Sequence, residues 1–286
     1  MRYLDPKADL TFKKIFGERK DLVISFLNAM LPLEEDEEIL EIEYLPAELV
    51  PETPLRKNTI VDVRCKDNKG RVFIVEMQMN WSSEFKQRVL YNASKAYVRQ
   101  IETGHSYHLL KPVYCLALVN DVFEKNIEGY YHYYRMVHVE HTEKVIDGLQ
   151  LILIELPKFN PQTYTEKRMR ALWLRFLTEI KHGTEHINGD LLADPLIEKA
   201  TVILKESSFS DAEMLSYERF WDVIATEATM MVGKYKQGFA EGMEKGEKEG
   251  RKKQSYEMAR FLKDENMSLD KIVKYTNLSI EEIEQL

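Results

Sequence analysis

Between Ile60 and Met79 the alternation of apolar and polar residues predicts two β-strands. The first reads Ile60-Val61-Asp62-Val63-Arg64-Cys65 and the second Arg71-Val72-Phe73-Ile74-Val75-Glu76-Met77-Gln78-Met79, separated by the turn signal Asp67-Asn68-Lys69-Gly70. Upstream, Phe12, Ile15, Phe16, Leu22, Val23 and Phe26 recur at helical spacing. They predict one helix, opened by Asp5-Pro6 as cap and first residue and ending near Pro32. Downstream, Ser82 or Ser83 is placed to cap a helix reaching about Glu102. Phe85, Val89, Ala93 and Ala96 mark its apolar side, and Glu84, Arg88, Tyr91, Lys95 and Arg99 its polar stripe. Further strands are expected at 113–119, 131–139 and 149–156, with β-signal over 39–49. The pattern then turns helical at 166–180, 195–204 and 211–232.

This order of elements predicts an α/β protein, a mixed sheet flanked by helices, followed by a helical region and a C-terminal helical tail. The expected divisions are a core at 1–160, a helical subdomain packed on it at 161–232, a Gly- and charge-rich linker or helix at 233–253, and a small helical module at 254–286.

The hairpin carries the candidate chemistry. A three-residue loop Asn68-Lys69-Gly70 with Gly70 left-handed sets Asp67 opposite Arg71 and Asp62 opposite Glu76. Glu76 and Gln78 then share the face of Asp62 and project with it into solvent. Val61, Val63, Cys65, Phe73, Val75, Met77 and Met79 occupy the other, core face. A one-residue slip would move Asp62 among those apolar groups, so burial opposes it. Carboxylates within apolar strands are costly unless paired. At the ~5 Å separation of directly opposed strand residues, two of them can clamp a hard cation such as Mg²⁺. The alternative is an ordinary ion pair of Asp62 with Arg64 or Arg71.

Composition narrows the class without identifying it. The chain of 286 residues can bury a full core and has a formal net charge of -8, which counts against a nucleic-acid binder. No stretch approaches the ~18 apolar residues of a membrane span, and the charged N-terminus does not read as a secretory signal. Cys65 and Cys115 both read as strand interior, so reduced thiols and a cytoplasmic, bacterial-type setting are expected. His132, His138 and His141 lack the partners of a zinc set. The aromatic run Tyr130 to Arg135 reads as a strand with rings on both faces, with base stacking as the alternative.

An Asp on one strand followed by Glu-x-Gln on the next resembles the PD-(D/E)XK nuclease superfamily, where the last position is more often Lys. Asp9-Leu10-Thr11-Phe12-Lys13-Lys14-Ile15-Phe16-Gly17, the hairpin, and the segment from Arg88-Val89-Leu90-Tyr91 through Gln100 to Lys111-Pro112-Val113 narrow the likeness to the recombination-promoting nuclease (Rpn) and transposase-like branch. The resemblance implies a restriction-endonuclease-like core over about 1–160 and a DNA endonuclease of little sequence preference, linked to recombination or transposition. It implies Mg²⁺, with Mn²⁺ as substitute, held by Asp62 and Glu76, with Gln78 completing the catalytic set. Asp9 on the first helix is implied as a support of the metal site, with a helix cap or a surface pair with Lys13, four residues on, as the alternative. Arg88, Tyr91, Lys95 and Lys13 are the candidate phosphate contacts. A neutral Gln78 can orient water but supplies no positive charge, so the second functional reading is a nuclease fold that binds DNA or protein without cutting.

In the tail, Gly238, Gly242, Gly246 and Gly250 recur at every fourth position among Glu, Lys and Arg. Such a segment is a weak helix or linker unless a partner helix approaches the glycines, which makes it the candidate surface for self-association. Beyond it, Asn277 and the Ser279–Glu282 capping box predict helix, turn, helix. Glu281, Glu282 and Glu284 would repel phosphates, so this module reads as a packing or interaction unit in preference to a DNA reader.

Overall fold

The computed structural model describes residues 2–49, 59–161 and 168–286. The chain forms two compact units, Met1–Ile224 and Ala225–Leu286. In the first, α1 (Asp9–Phe12) runs into a π-turn (Lys13–Gly17), and α2 (Lys20–Met30) follows. The single helix expected here is therefore two. The apolar period lapses after Phe16, where Glu18, Arg19 and Lys20 are exposed, and resumes at Leu22 after extended backbone at Arg19. The start also differs. Asp5 caps a turn, accepting from Lys7 N–H at 2.9 Å, and α1 begins after Ala8.

Strands β1 (Ile42–Tyr44), β2 (Glu48–Leu49), β3 (Thr59–Ile60), β4 (Val63–Asp67) and β5 (Val72–Gln78) lead to α3 (Phe85–Val98), then β6 (Val113–Val119), β7 (Tyr131–His138) and β8 (His141–Glu155). Among the described residues, six strands form one mixed sheet in the order β1-β4-β5-β6-β8-β7, with β2 and β3 as a separate pair. The β5–β6 and β6–β8 pairings are parallel and the others antiparallel. Every residue of β6 is buried, which a central parallel strand requires because helices cover both faces.

One face of the sheet packs Val63, Cys65, Phe73 and Val75 against Phe12, Phe16, Phe26 and Trp173. Trp173 lies on α4 (Arg168–Glu179), whose expected start at Glu166 falls outside the described residues. The opposite face packs Val72, Ile74, Cys115 and Ala117 against Phe85, Val89, Ala93 and Ala96 of α3. This corrects the two-sided reading of the hairpin. Both faces are core, and Val61 belongs to the α3 side because the strand breaks at Asp62. The hairpin register itself is as expected. Val63 pairs with Val75 and Cys65 with Phe73, and Gly70 sits at φ +83°.

Helices α5 (Gly189–Leu192) and α6 (Pro195–Ile203) complete the first unit with the start of α7 (Asp211–Asp264). That helix runs on past 232 through all four repeat glycines, so of the two expectations for 233–253, linker or helix, it takes the second. Met230 and Met231 are exposed on it. In the second unit the end of α7 packs with α8 (Leu269–Thr276) and α9 (Ile280–Glu284) around Ala259, Ile272, Leu278 and Ile283. Asn277 closes α8 at φ 56°, and Ser279 and Glu282 form the capping box, both as expected. Among the described residues no helix is long and apolar enough to cross a membrane.

Candidate active site

The strand break at Asp62 places its side chain beside the end of β5. Its Oδ2 accepts from Met77 N–H at 2.6 Å, so a carboxylate occupies a place where strand pairing would put a carbonyl. Glu76 is only 6 % exposed, and its Oε1 accepts from Asn92 Nδ2 at 2.8 Å. Beyond it, Gln78 Oε1 accepts from Arg88 Nη2, and Gln78 Nε2 donates to the Asn80 carbonyl at 2.7 Å. The expected three groups are thus brought together, in a setting that is part-buried instead of open. Here α3 covers the acid face, and a cavity of 390 Å³ remains, lined by Ile60, Val61, Asp62, Glu76, Met77, Gln78, Arg88 and Asn92.

Burial dominates the electrostatics. It pushes the Asp62 carboxyl up to about 6 against the pull of the Met77 N–H, and the negative charges of Glu76 and Asp9 add to the rise. Burial raises Glu76 as well, opposed by the Asn92 hydrogen bond and the positive charge of Arg88. Two acids with raised pKa values around one cavity lack a full counter-charge, a condition that a bound cation relieves.

The other candidates divide. Asp9 and Lys13 pair with each other at 2.7 Å, yet both act electrostatically on Asp62, so the pair stands beside the site. Arg88 lines the cavity, with its guanidinium over the Phe85 ring at 4.8 Å. Tyr91 and Lys95 are not among the cavity-lining residues. Lys95 Nζ donates to the Leu49 carbonyl at 2.7 Å and lies over the Tyr91 ring at 5.3 Å. His132 is buried against Glu155, a carboxylate that also holds the N–H groups of Phe123 and Glu124 and the Lys158 ammonium, so it anchors a loop. Asn92 is the residue that reading the sequence missed. Its signal was a polar side chain on the apolar side of α3, between Val89 and Ala93, one turn from Arg88.

The donor set fits a hard cation. Among the described residues no three His, Cys, Asp or Glu side chains converge, and what is available is two carboxylates flanked by amides. Mg²⁺ is commonly held this way, by one or two carboxylates, with water and substrate phosphate completing its shell.

A mixed sheet flanked by helices, with Asp62 at a strand break and Glu-x-Gln at the C-terminal end of the neighbouring strand, has the architecture of the PD-(D/E)XK nuclease fold. Within that class the family described as PD-(D/E)XK nuclease family transposase matches residues 6–224, and the chain belongs to it. That match ends where the first compact unit does. No curated protein and no solved structure matches the chain.

Proposed function

We propose that the first unit is a divalent-cation-dependent DNA endonuclease, hydrolysing phosphodiester bonds with little sequence preference in the service of recombination or transposition. The observation that carries this is the convergence of Asp62 and Glu76 on one cavity, both with raised pKa values and with Arg88 on its wall. Asp62 and Glu76 would hold Mg²⁺ or Mn²⁺, which supplies a more acidic water and neutralises charge on the phosphate. Asn92 fixes the Glu76 carboxylate through one hydrogen bond, and Met77 N–H fixes that of Asp62.

Gln78 stands where the wider superfamily more often carries Lys, and its amide is already engaged at both ends. The positive charge at this point of the site is therefore that of Arg88, which Gln78 orients. In this reading Arg88 meets the scissile phosphate and stabilises charge as it develops. Lys13 and Asp9 tune Asp62 from the side. Lys95, engaged with the Leu49 carbonyl, and Tyr91 beneath it contribute at most to a more distant phosphate.

The engagement of Gln78 also favours the second reading, a nuclease fold that binds DNA without cutting, because an amide held at both ends keeps only one N–H and one lone pair with which to direct water. A supercoiled-plasmid assay separates the two. Nicking that requires Mg²⁺ or Mn²⁺ and disappears in Asp62→Ala and Glu76→Ala, with circular dichroism unchanged, is the expected result. Retention of DNA with no nicked product would establish the binding module instead, and undiminished nicking by both variants would remove the assignment.

A further inference from the structure

Four glycines in the exposed part of α7 are used by nothing within the chain. A Cβ added at Gly238, Gly242, Gly246 or Gly250 would meet no atom within 4 Å among the described residues, and none of the four has a positive φ. Each nevertheless costs about 1 kcal/mol relative to Ala in a helix. At about 100° per residue, Val232, Tyr235, Phe239, Met243, Gly246 and Gly250 lie on one face. The four side chains among them are 54 %, 74 %, 60 % and 63 % exposed in that order. Apart from Lys236 at its edge, charged residues lie away from this stripe, and several pair along the helix, Glu244 with Lys248 at 2.6 Å, Lys245 with Glu249 at 3.9 Å, and Glu247 with Arg251. A helix whose charges are mostly paired internally offers little to a polyanion. What it leaves unsatisfied is apolar, large at one end and glycine at the other.

We propose that this face packs against the same face of a second copy of the chain, antiparallel, forming a two-fold dimer. Reversing the helix sets Tyr235 opposite Gly250 and Phe239 opposite Gly246, with Gly242 and Met243 at the two-fold axis. Each ring then fills the space a glycine leaves, and the fit is reciprocal, as a two-fold interface requires. A parallel pair would set ring against ring at one end and leave voids at the other, which is costly in packing. The antiparallel register also brings Lys236, on the edge of the stripe, near Glu247 of the second copy. The occupant is another copy of this chain because the surface that complements the rings is the glycine half of the same helix.

The full-length protein tests this directly. Its own cysteines, Cys65 and Cys115, are buried, so introduced thiols report alone. Light scattering should give twice the mass of one chain at micromolar concentration, and Phe239→Lys should weaken association at least about tenfold, the worth of one buried large apolar side chain. The double variant Phe239→Cys/Gly246→Cys should form a disulfide-linked dimer on oxidation. The same two positions on one helix are about 10 Å apart, beyond the ~7 Å limit for bridging. Phe239→Cys alone should not cross-link. A monomer at every concentration, a dimer indifferent to Phe239→Lys, or efficient cross-linking by Phe239→Cys alone would each overturn the proposal, and none bears on whether the first unit cuts DNA.

Discussion

Burial sets the behaviour of Asp62 more than its neighbours do. Its carboxyl, pushed up to about 6, is the group whose protonation competes with a cation. Affinity for Mn²⁺ should fall as pH drops through that value, by up to about tenfold per unit below it, in calorimetric titrations between about pH 5 and about pH 8. The same shift has a sign for stability. A carboxyl raised on folding binds protons more tightly in the native state, so its contribution is favourable at low pH and is lost as pH rises from the unfolded value toward 6. Without metal, Asp62→Asn should therefore be more stable than the wild type at about pH 8, by about 2–3 kcal/mol, and within about 1 kcal/mol of it at about pH 4. Chemical denaturation at the two pH values measures this. At this scale the sequence was legible where spacing alone decides, because the strand period and a glycine turn were enough to bring Asp62, Glu76 and Gln78 together. Asn92 and the contacts of Gln78 were not legible, since they depend on how α3 rotates over the sheet.

Among the elements, the β4–β5 hairpin has the clearest local cause. Gly70 takes φ +83°, and a Cβ there would stand 3.3 Å from Lys111 Cγ. Gly70→Ala should cost about 1–2 kcal/mol, the price of a left-handed residue with a side chain. It should leave nicking intact, because the turn lies at the opposite end of β5 from Glu76 and Gln78. The register of the hairpin, though not the burial of both its faces, could be read from sequence because it rests on a turn and an alternation only a few residues long. The first helix could not, since its division into α1 and α2 is made by extended backbone at Arg19, which the apolar spacing records only as a gap. Helix α7 is a third case. Its glycines allow a linker or a helix beyond 232, and in the second unit the i,i+4 ion pairs accompany an unbroken helix.

For the molecule as a whole, the separation into two units implies separable roles. The first holds both sheet-facing cores and the whole candidate site, while the second has its own small core around Ile272 and Ile283. A chain ended after Ile224 should retain cooperative melting and metal-dependent nicking and should be monomeric by light scattering. Loss of nicking with the fold retained would mean that the tail contributes to the chemistry. The net charge of -8 leaves attraction for DNA to local groups such as Arg88 and the cation, so few phosphates are neutralised and nicking is expected to weaken only modestly with added salt.

Calorimetric titration of Mn²⁺ into the wild type and Glu76→Ala at about pH 8, above the Asp62 transition, tests the metal site without requiring turnover. Saturable binding by the wild type that is lost in the variant, with both proteins melting cooperatively, is the expected result. Equal binding by the two proteins, or none by the wild type, would contradict a cation held between Asp62 and Glu76.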